Sequence, residues 1–198
     1  GMGVVKARIA GTSDNPVIVD AQRYIINDGE LGSNYFFTIY AENEANLLFG
    51  NKGYGVFRYN ETTNGLEPVS THKYENMTLN NILAISKDSS NNYLFGTSYG
   101  LIKYTSETSY QLFNGFLNNT IHAILRNSSD NFWLSTNLGL INFDTKRNVF
   151  RSYGFGDGLK VVEFSDGAAF RDSRTGTLFF GGINGVVAIR ADGRPEQL

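Results

Sequence analysis

No cysteine occurs in the 198 residues, so neither a disulfide framework nor a thiolate metal site can exist. Histidine is nearly absent too: His72 and His122 stand alone, without an H-x-H or H-x-x-x-H spacing, and a metal centre needs at least three converging ligands. No metal site and no cofactor is expected. Charge is not in excess of either sign. The 17 basic and 19 acidic residues give a net charge of −2 with no basic cluster, which argues against a nucleic-acid partner. No run of about 18 apolar residues is present, and the N-terminal stretch lacks a charged region followed by an apolar core. A G-x-S-x-G elbow and a phosphate-cradling glycine loop are missing as well.

Proline is scarce, at three residues, but 22 glycines, 15 phenylalanines and 11 tyrosines are present, which favours many short strands joined by glycine turns. A chain of this length can bury roughly 70% of its unfolded surface. The stretch Asn118 to Asp144 shows how. An apolar run from Ile121 to Leu125 meets a polar turn from Asn127 to Asp130. A second run, Phe132 to Leu134, then leads to a tight turn closing at Gly139, and a third run, Leu140 to Phe143, follows. Three short runs and two turns describe an antiparallel meander. The same pattern recurs from Tyr35 to Tyr59, from Asn80 to Tyr104 and from Gly167 to Ile189. Aligning the glycine that opens the third run gives Gly55, Gly100, Gly139 and Gly185, spaced 45, 39 and 46 residues apart. That period suits a four-stranded blade and is too long for a leucine-rich or helical-hairpin repeat.

The repeat resembles the two-component regulator propeller repeat, found in extracytoplasmic sensor regions of bacterial hybrid sensor kinases. One unit carries Asn80, Asn81, Ile82, Ile85, Asp88, Leu94, Gly96, Thr97, Gly100 and Leu101. The next carries Asn118, Asn119, Ile121, Ile124, Trp133, Thr136, Gly139 and Leu140. An Asp-Gly-Leu lead-in appears at Asp157, Gly158 and Leu159, and in weaker form at Asp28, Gly29 and Leu31. Departures are Ser135 in place of the glycine before Thr136, Phe36 and Gly167 where other units have Ile82 and Ile121, and both Gly53 and Gly55 in the first glycine turn. The resemblance implies an all-β propeller segment of about four blades from a sensor that perceives a ligand, often a carbohydrate, without catalysis. It also implies a periplasmic location, with any kinase elsewhere in the parent protein.

On this reading residues 1–32 are the tail of a preceding blade, 33–78 the first full blade, 79–116 the second, 117–159 the third, and 160–198 an incomplete fourth with a C-terminal tail. Val17 to Val19 and Tyr24 to Ile26 read as two short strands. Outer strands are expected near Leu66 to Tyr74, Tyr110 to Phe113 and Val149 to Tyr153, with none evident after Ile189. Open terminal faces lead us to expect a homodimer, with Tyr24 to Ile26 of one chain completing the last blade of the other.

With strands a to d counted outward, the a–b turns share one face and the b–c turns the other. The residue before each aligned glycine on the b–c face is Tyr54, Tyr99, Leu138 and Asn184. Tyr54, Tyr99 and Asn184 are the candidate ligand-binding residues, the tyrosines as a stacking platform for a sugar ring. The simpler alternative is that each tyrosine packs against a neighbouring loop. Trp133 and His122 read as core and as a satisfied strand histidine. Acidic pairs such as Glu163 with Asp166, or Asp157 with Asp172, invite a glycosidase or lyase reading. A protein-interaction platform is the other alternative. The four N-x-S/T triplets, at Asn60, Asn76, Asn118 and Asn127, are expected by chance in so Asn-rich a chain.

Overall fold

A computed structural model describes residues 3–26, 34–43, 45–69, 80–106, 108–190 and 193–198. The chain begins with a hairpin of β1 (Val4–Thr12) and β2 (Asn15–Tyr24). Four antiparallel sheets of four strands follow. The first holds β3 (Phe36–Asn43), β4 (Asn46–Asn51), β5 (Val56–Asn60) and β6 (Gly65–Pro68). The second holds β7 (Ile82–Lys87), β8 (Tyr93–Thr97), β9 (Leu101–Ser106) and β10 (Ser109–Phe113). The third holds β11 (Ala123–Arg126), β12 (Asn131–Thr136), β13 (Gly139–Asp144) and β14 (Val149–Tyr153). The fourth holds β15 (Phe164–Arg171), β16 (Leu178–Gly182), β17 (Gly185–Ile189) and β18 (Pro195–Gln197). In every sheet the strands pair in chain order, and β3, β7, β11 and β15 gather at the centre. This is a four-blade β-propeller arrangement, all-β as the repeat predicts.

The alternation of strand side chains explains why the blades stack. In the third blade Phe132 pairs with Phe143 and Leu134 with Ile141, and all four point into one core with Ala84, Leu94 and Leu101 of the second blade. Trp133 and Leu140, one residue out of phase, point the other way, into a core with Leu178, Phe180, Val187 and Ile189 of the fourth. The first three sheets thus each have two apolar faces and belong to two cores, whereas the fourth belongs to one. Leu159 of the Asp-Gly-Leu lead-in enters the same core as Trp133, while the Asp157 carboxylate accepts the Gly154 N–H at 3.0 Å.

Sheets approach closely enough that strand b needs glycine at one point. A Cβ on Gly50 would lie 2.8 Å from Ile82 Cγ2, and one on Gly96 2.8 Å from Ile121 Cγ2, each on the next blade. At Ser135 the rule is broken, and the next unit carries Gly167 where the others carry isoleucine. The change is accommodated across the contact, although the buried Ser135 hydroxyl has no hydrogen-bond partner among the described residues.

Three readings of the chain ends change. β2 is one strand, not two, and β1 was not anticipated. Almost every residue of this ribbon is exposed, and Val17 to Val19 is the one apolar run in its two strands. The fourth blade is also complete, because β18 pairs with Val187–Ile189 of β17. As an edge strand it supplies backbone rather than apolar side chains, and Pro195 is acceptable at its start. The edge imagined for strand exchange is therefore occupied, and Tyr24 pairs with Val4 instead. The weaker lead-in at Asp28, Gly29 and Leu31, the chain from Thr71 to Tyr74, His72 and Asn76 lie outside the described residues. The hairpin is held to the first blade by Tyr24, whose hydroxyl donates to Asn64 Oδ1 at 2.9 Å. The Tyr59 hydroxyl nearby, and then burial, push the Tyr24 hydroxyl up to about 12.

On the a–b face, polar latches tie blade to blade. Glu42 pairs with Lys87 of the second blade and accepts from Tyr93 Oη at 3.2 Å. Arg126 of the third donates to the Lys87 carbonyl. Ser89 Oγ donates to Asp130 at 2.5 Å. The hydrogen bond from Lys87 holds the Glu42 carboxyl below its ordinary range, and its counterpart holds Lys87 above its own. A lowered carboxylate stabilises above its unfolded pKa and loses that stabilisation as pH falls through the folded one; a raised ammonium loses it as pH rises through its folded value. The pair therefore acts between the acid and the strongly alkaline range. Glu42→Gln should lower unfolding free energy by about 1 kcal/mol at neutral pH, and urea titrations of both proteins should converge as the carboxylate protonates. Trp133, 1% exposed and 5.0 Å from the Tyr153 ring, should cost about 3–5 kcal/mol on truncation to alanine by the same measurement.

Candidate ligand-binding face

A buried threonine builds the b–c turn in the second and third blades. Thr97 Oγ1 donates to the Gly100 carbonyl at 2.8 Å and accepts the N–H groups of Tyr99 and Gly100, each at 3.0 Å. Thr136 repeats this, donating to the Gly139 carbonyl at 2.9 Å and accepting from Leu138 N at 3.0 Å. With the threonine turned inward, the residue before the glycine is turned out: Tyr99 is 38% and Leu138 46% exposed. Tyr54 is half-buried and Asn184 exposed at the corresponding turns of the first and fourth blades. The four residues therefore mark one edge of successive blades. Among the described residues no ring contact joins Tyr54 to Tyr99, so the two tyrosines stand as separate surfaces, and Leu138 lies between Tyr99 and Asn184 in blade order.

The same face carries a polar cluster that the sequence reading passed over. His122, just ahead of β11 and 9% exposed, has its Nδ1 2.5 Å from Asp166 Oδ1 of the fourth blade and its Nε2 2.7 Å from Asn137 Oδ1 in the b–c turn. Its backbone is tied on both sides, since His122 N donates to Ser135 O at 2.8 Å and Gly167 N donates to His122 O at 3.3 Å. The histidine is satisfied, as expected, but its partner is a carboxylate whose side chain is 56% exposed. Asp166 reaches solvent through the bulge that breaks the register of β15 between Phe164 and Ala169. One signal was legible: His122 takes the place of Leu83 in the aligned unit, a polar residue at an apolar position.

Three of the four carboxylates in these pairs, those of Asp157, Asp166 and Asp172, are engaged by other groups. Asp157 and Asp172 lie beyond opposite ends of β15. Asp172 is a turn residue whose carboxyl is held down first by the Arg174 backbone N–H and then by the Thr175 hydroxyl. Asp166 engages His122, and the Glu163 backbone carbonyl accepts from Ile183 N at 3.1 Å. Among the described residues no group of three or more His, Asp or Glu side chains could hold a metal. The Thr97 hydroxyl is the most heavily used group on this face. Thr97→Val should cost about 1–3 kcal/mol through the amides it leaves unpaired, read from the urea midpoint, whereas Thr97→Ser should retain most of the stability.

No protein-family model matches the chain, and no curated protein matches it. Solved structures do. The extracellular domain of the hybrid two-component system BT3049 from B. thetaiotaomicron matches at 26% identity with a TM-score of 0.70, over 88% of this chain and 24% of that one. The extracellular domain of the one-component system BT4673 from the same organism matches at 20% identity with a TM-score of 0.67, over 90% and 26%. The chain thus spans about a quarter of the length of those domains. Among the described residues no helix is long and apolar enough to cross a membrane. The structural neighbours of this four-blade segment are therefore extracellular domains of hybrid two-component and one-component systems.

Proposed function

We propose that this chain is a non-catalytic sensing segment of a periplasmic two-component receptor, and that it perceives a carbohydrate on its b–c face. The observation that carries the sensor reading is the similarity to the BT3049 extracellular domain along most of this chain. The ligand class is argued from chemistry. Tyr99, exposed, and Tyr54, half-buried, offer flat apolar surface for the face of a sugar ring, and Asn184 with the solvent-facing side of Asp166 offers hydrogen bonds to its hydroxyls. The receptor acts as a homodimer whose arrangement shifts with the ligand, which can drive the shift only through a difference in affinity for the two arrangements.

A second reading, a protein-interaction platform, is favoured by Leu138 and Ile183, which are 46% and 65% exposed on this same face. Thermal denaturation against a panel of oligosaccharides separates the two. A sugar that binds only the folded state adds about 2.7 kcal/mol at a hundred times its dissociation constant, and Tyr99→Ala should remove most of that gain while leaving the ligand-free melting point near its original value. A panel without any stabilising sugar would favour the platform.

A further inference from the structure

We propose that the cavity between the N-terminal hairpin and the first blade binds a free aromatic α-amino acid, whose ring enters among apolar side chains while its carboxylate meets Lys6 and its ammonium meets Glu61. The site is independent of the ligand reading above, because its lining comes from the facing sides of two sheets rather than from the b–c turns. The period of two along each strand builds the walls. Val4 and Lys6 share one face of β1, and Tyr24 pairs with Val4. Opposite them, Leu47 and Phe49 alternate along β4, and Leu66 pairs with Tyr59. Both tyrosine hydroxyls donate to one acceptor, Asn64 Oδ1, at 2.9 Å from Tyr24 and 3.0 Å from Tyr59, which fixes the aromatic wall in place.

Two properties of the cavity select the ligand. The first is size. Its volume is about 160 Å³, and an apolar cavity of roughly 150 Å³ takes up one benzene ring. Ile39, which pairs with Phe49 and lines the cavity, is 64% exposed, so a ring can enter from solvent. The second is charge. Lys6 and Glu61 both line the cavity and both are exposed. Among the described residues neither forms an ion pair, with the other or with a third group. The Lys6 ammonium lies 4.7 Å from the centre of the Tyr59 ring and donates to its hydroxyl at 3.4 Å, which leaves donors for a carboxylate. One cation and one anion beside a ring-sized apolar space match a ligand whose own two charges sit on one carbon, a methylene away from a ring. A neutral sugar would leave both charges unpaired.

The test follows the methyl resonances of Val4, Ile39, Leu47 and Leu66 in the unmodified chain while L-phenylalanine, 3-phenylpropionate or phenethylamine is added. L-Phenylalanine should shift them saturably with a dissociation constant at or below about 1 mM. Each analogue lacks one charge and should bind at least about threefold more weakly. Lys6→Gln should weaken L-phenylalanine by the same factor and leave phenethylamine, which has no carboxylate, unchanged. Glu61→Gln should weaken L-phenylalanine likewise and spare 3-phenylpropionate. The absence of a saturable shift of these methyls up to about 20 mM L-phenylalanine would overturn the proposal, and so would equal affinity for all three compounds. Shifts confined to the Leu138 methyls would also overturn it, by moving the amino acid to the b–c face. The analogue series needs no substitution, so it decides the matter even where a variant fails to fold.

Discussion

A single four-stranded sheet in this chain cannot bury both of its faces, so every blade depends on the blades beside it. Leu94 and Leu101 leave one face of the second blade to meet Phe132, Leu134 and Phe143 of the third, and Ile82, Ile85 and Phe95 occupy its other face against Leu48 and Val56 of the first. The sheets come close because strand b carries glycine where the next blade presents isoleucine. Stability is therefore built from contacts between neighbours, much as in a linear repeat, and the weakest place is wherever a neighbour is incomplete. The hairpin's contact with the first blade is such a place: it buries three aromatic rings where the other contacts bury whole sets of inner-strand side chains.

The two ends of the blades are built differently. At the a–b end, charged and polar side chains cross from blade to blade, from Glu42 to Lys87 and from Ser89 to Asp130. At the b–c end of the second and third blades, bonds internal to each turn centre on Thr97 and Thr136, and side chains cross between blades from His122 to Asp166 and from Thr120 to the Ser98 carbonyl. A ligand on the b–c face would meet residues held rigidly within each blade, with few side-chain bonds of that face joining one blade to the next.

Most of the architecture was legible because burial writes itself into sequence. Strands packed on both faces give uninterrupted runs such as Phe132 to Leu134, and turns that need positive φ call for Gly100 and Gly139. What escaped had no burial to betray it. β1 and β2 are almost wholly exposed, and β18 pairs through its backbone without an apolar run. The candidate site was half legible for the same reason. Alignment places Tyr54, Tyr99, Leu138 and Asn184 at one turn position, but the meeting of His122 with Asp166 joins residues 44 apart through a bulge that no local pattern announces.

That pairing also shows how a repeat acquires individuality. The third and fourth blades break the common pattern together: Ser135 replaces a glycine, Gly167 replaces an isoleucine, and His122 replaces a leucine. All three meet along one line of backbone bonds, from Ser135 O through His122 to Gly167 N. Without an isoleucine at the contact, strand b no longer needs glycine, and the bulge around Gly167 lets Asp166 turn toward the imidazole. A polar pair has entered at the blade contact where Ser135 and Gly167 replace the glycine and isoleucine of the other units, and the neighbouring contacts keep the geometry that holds it there.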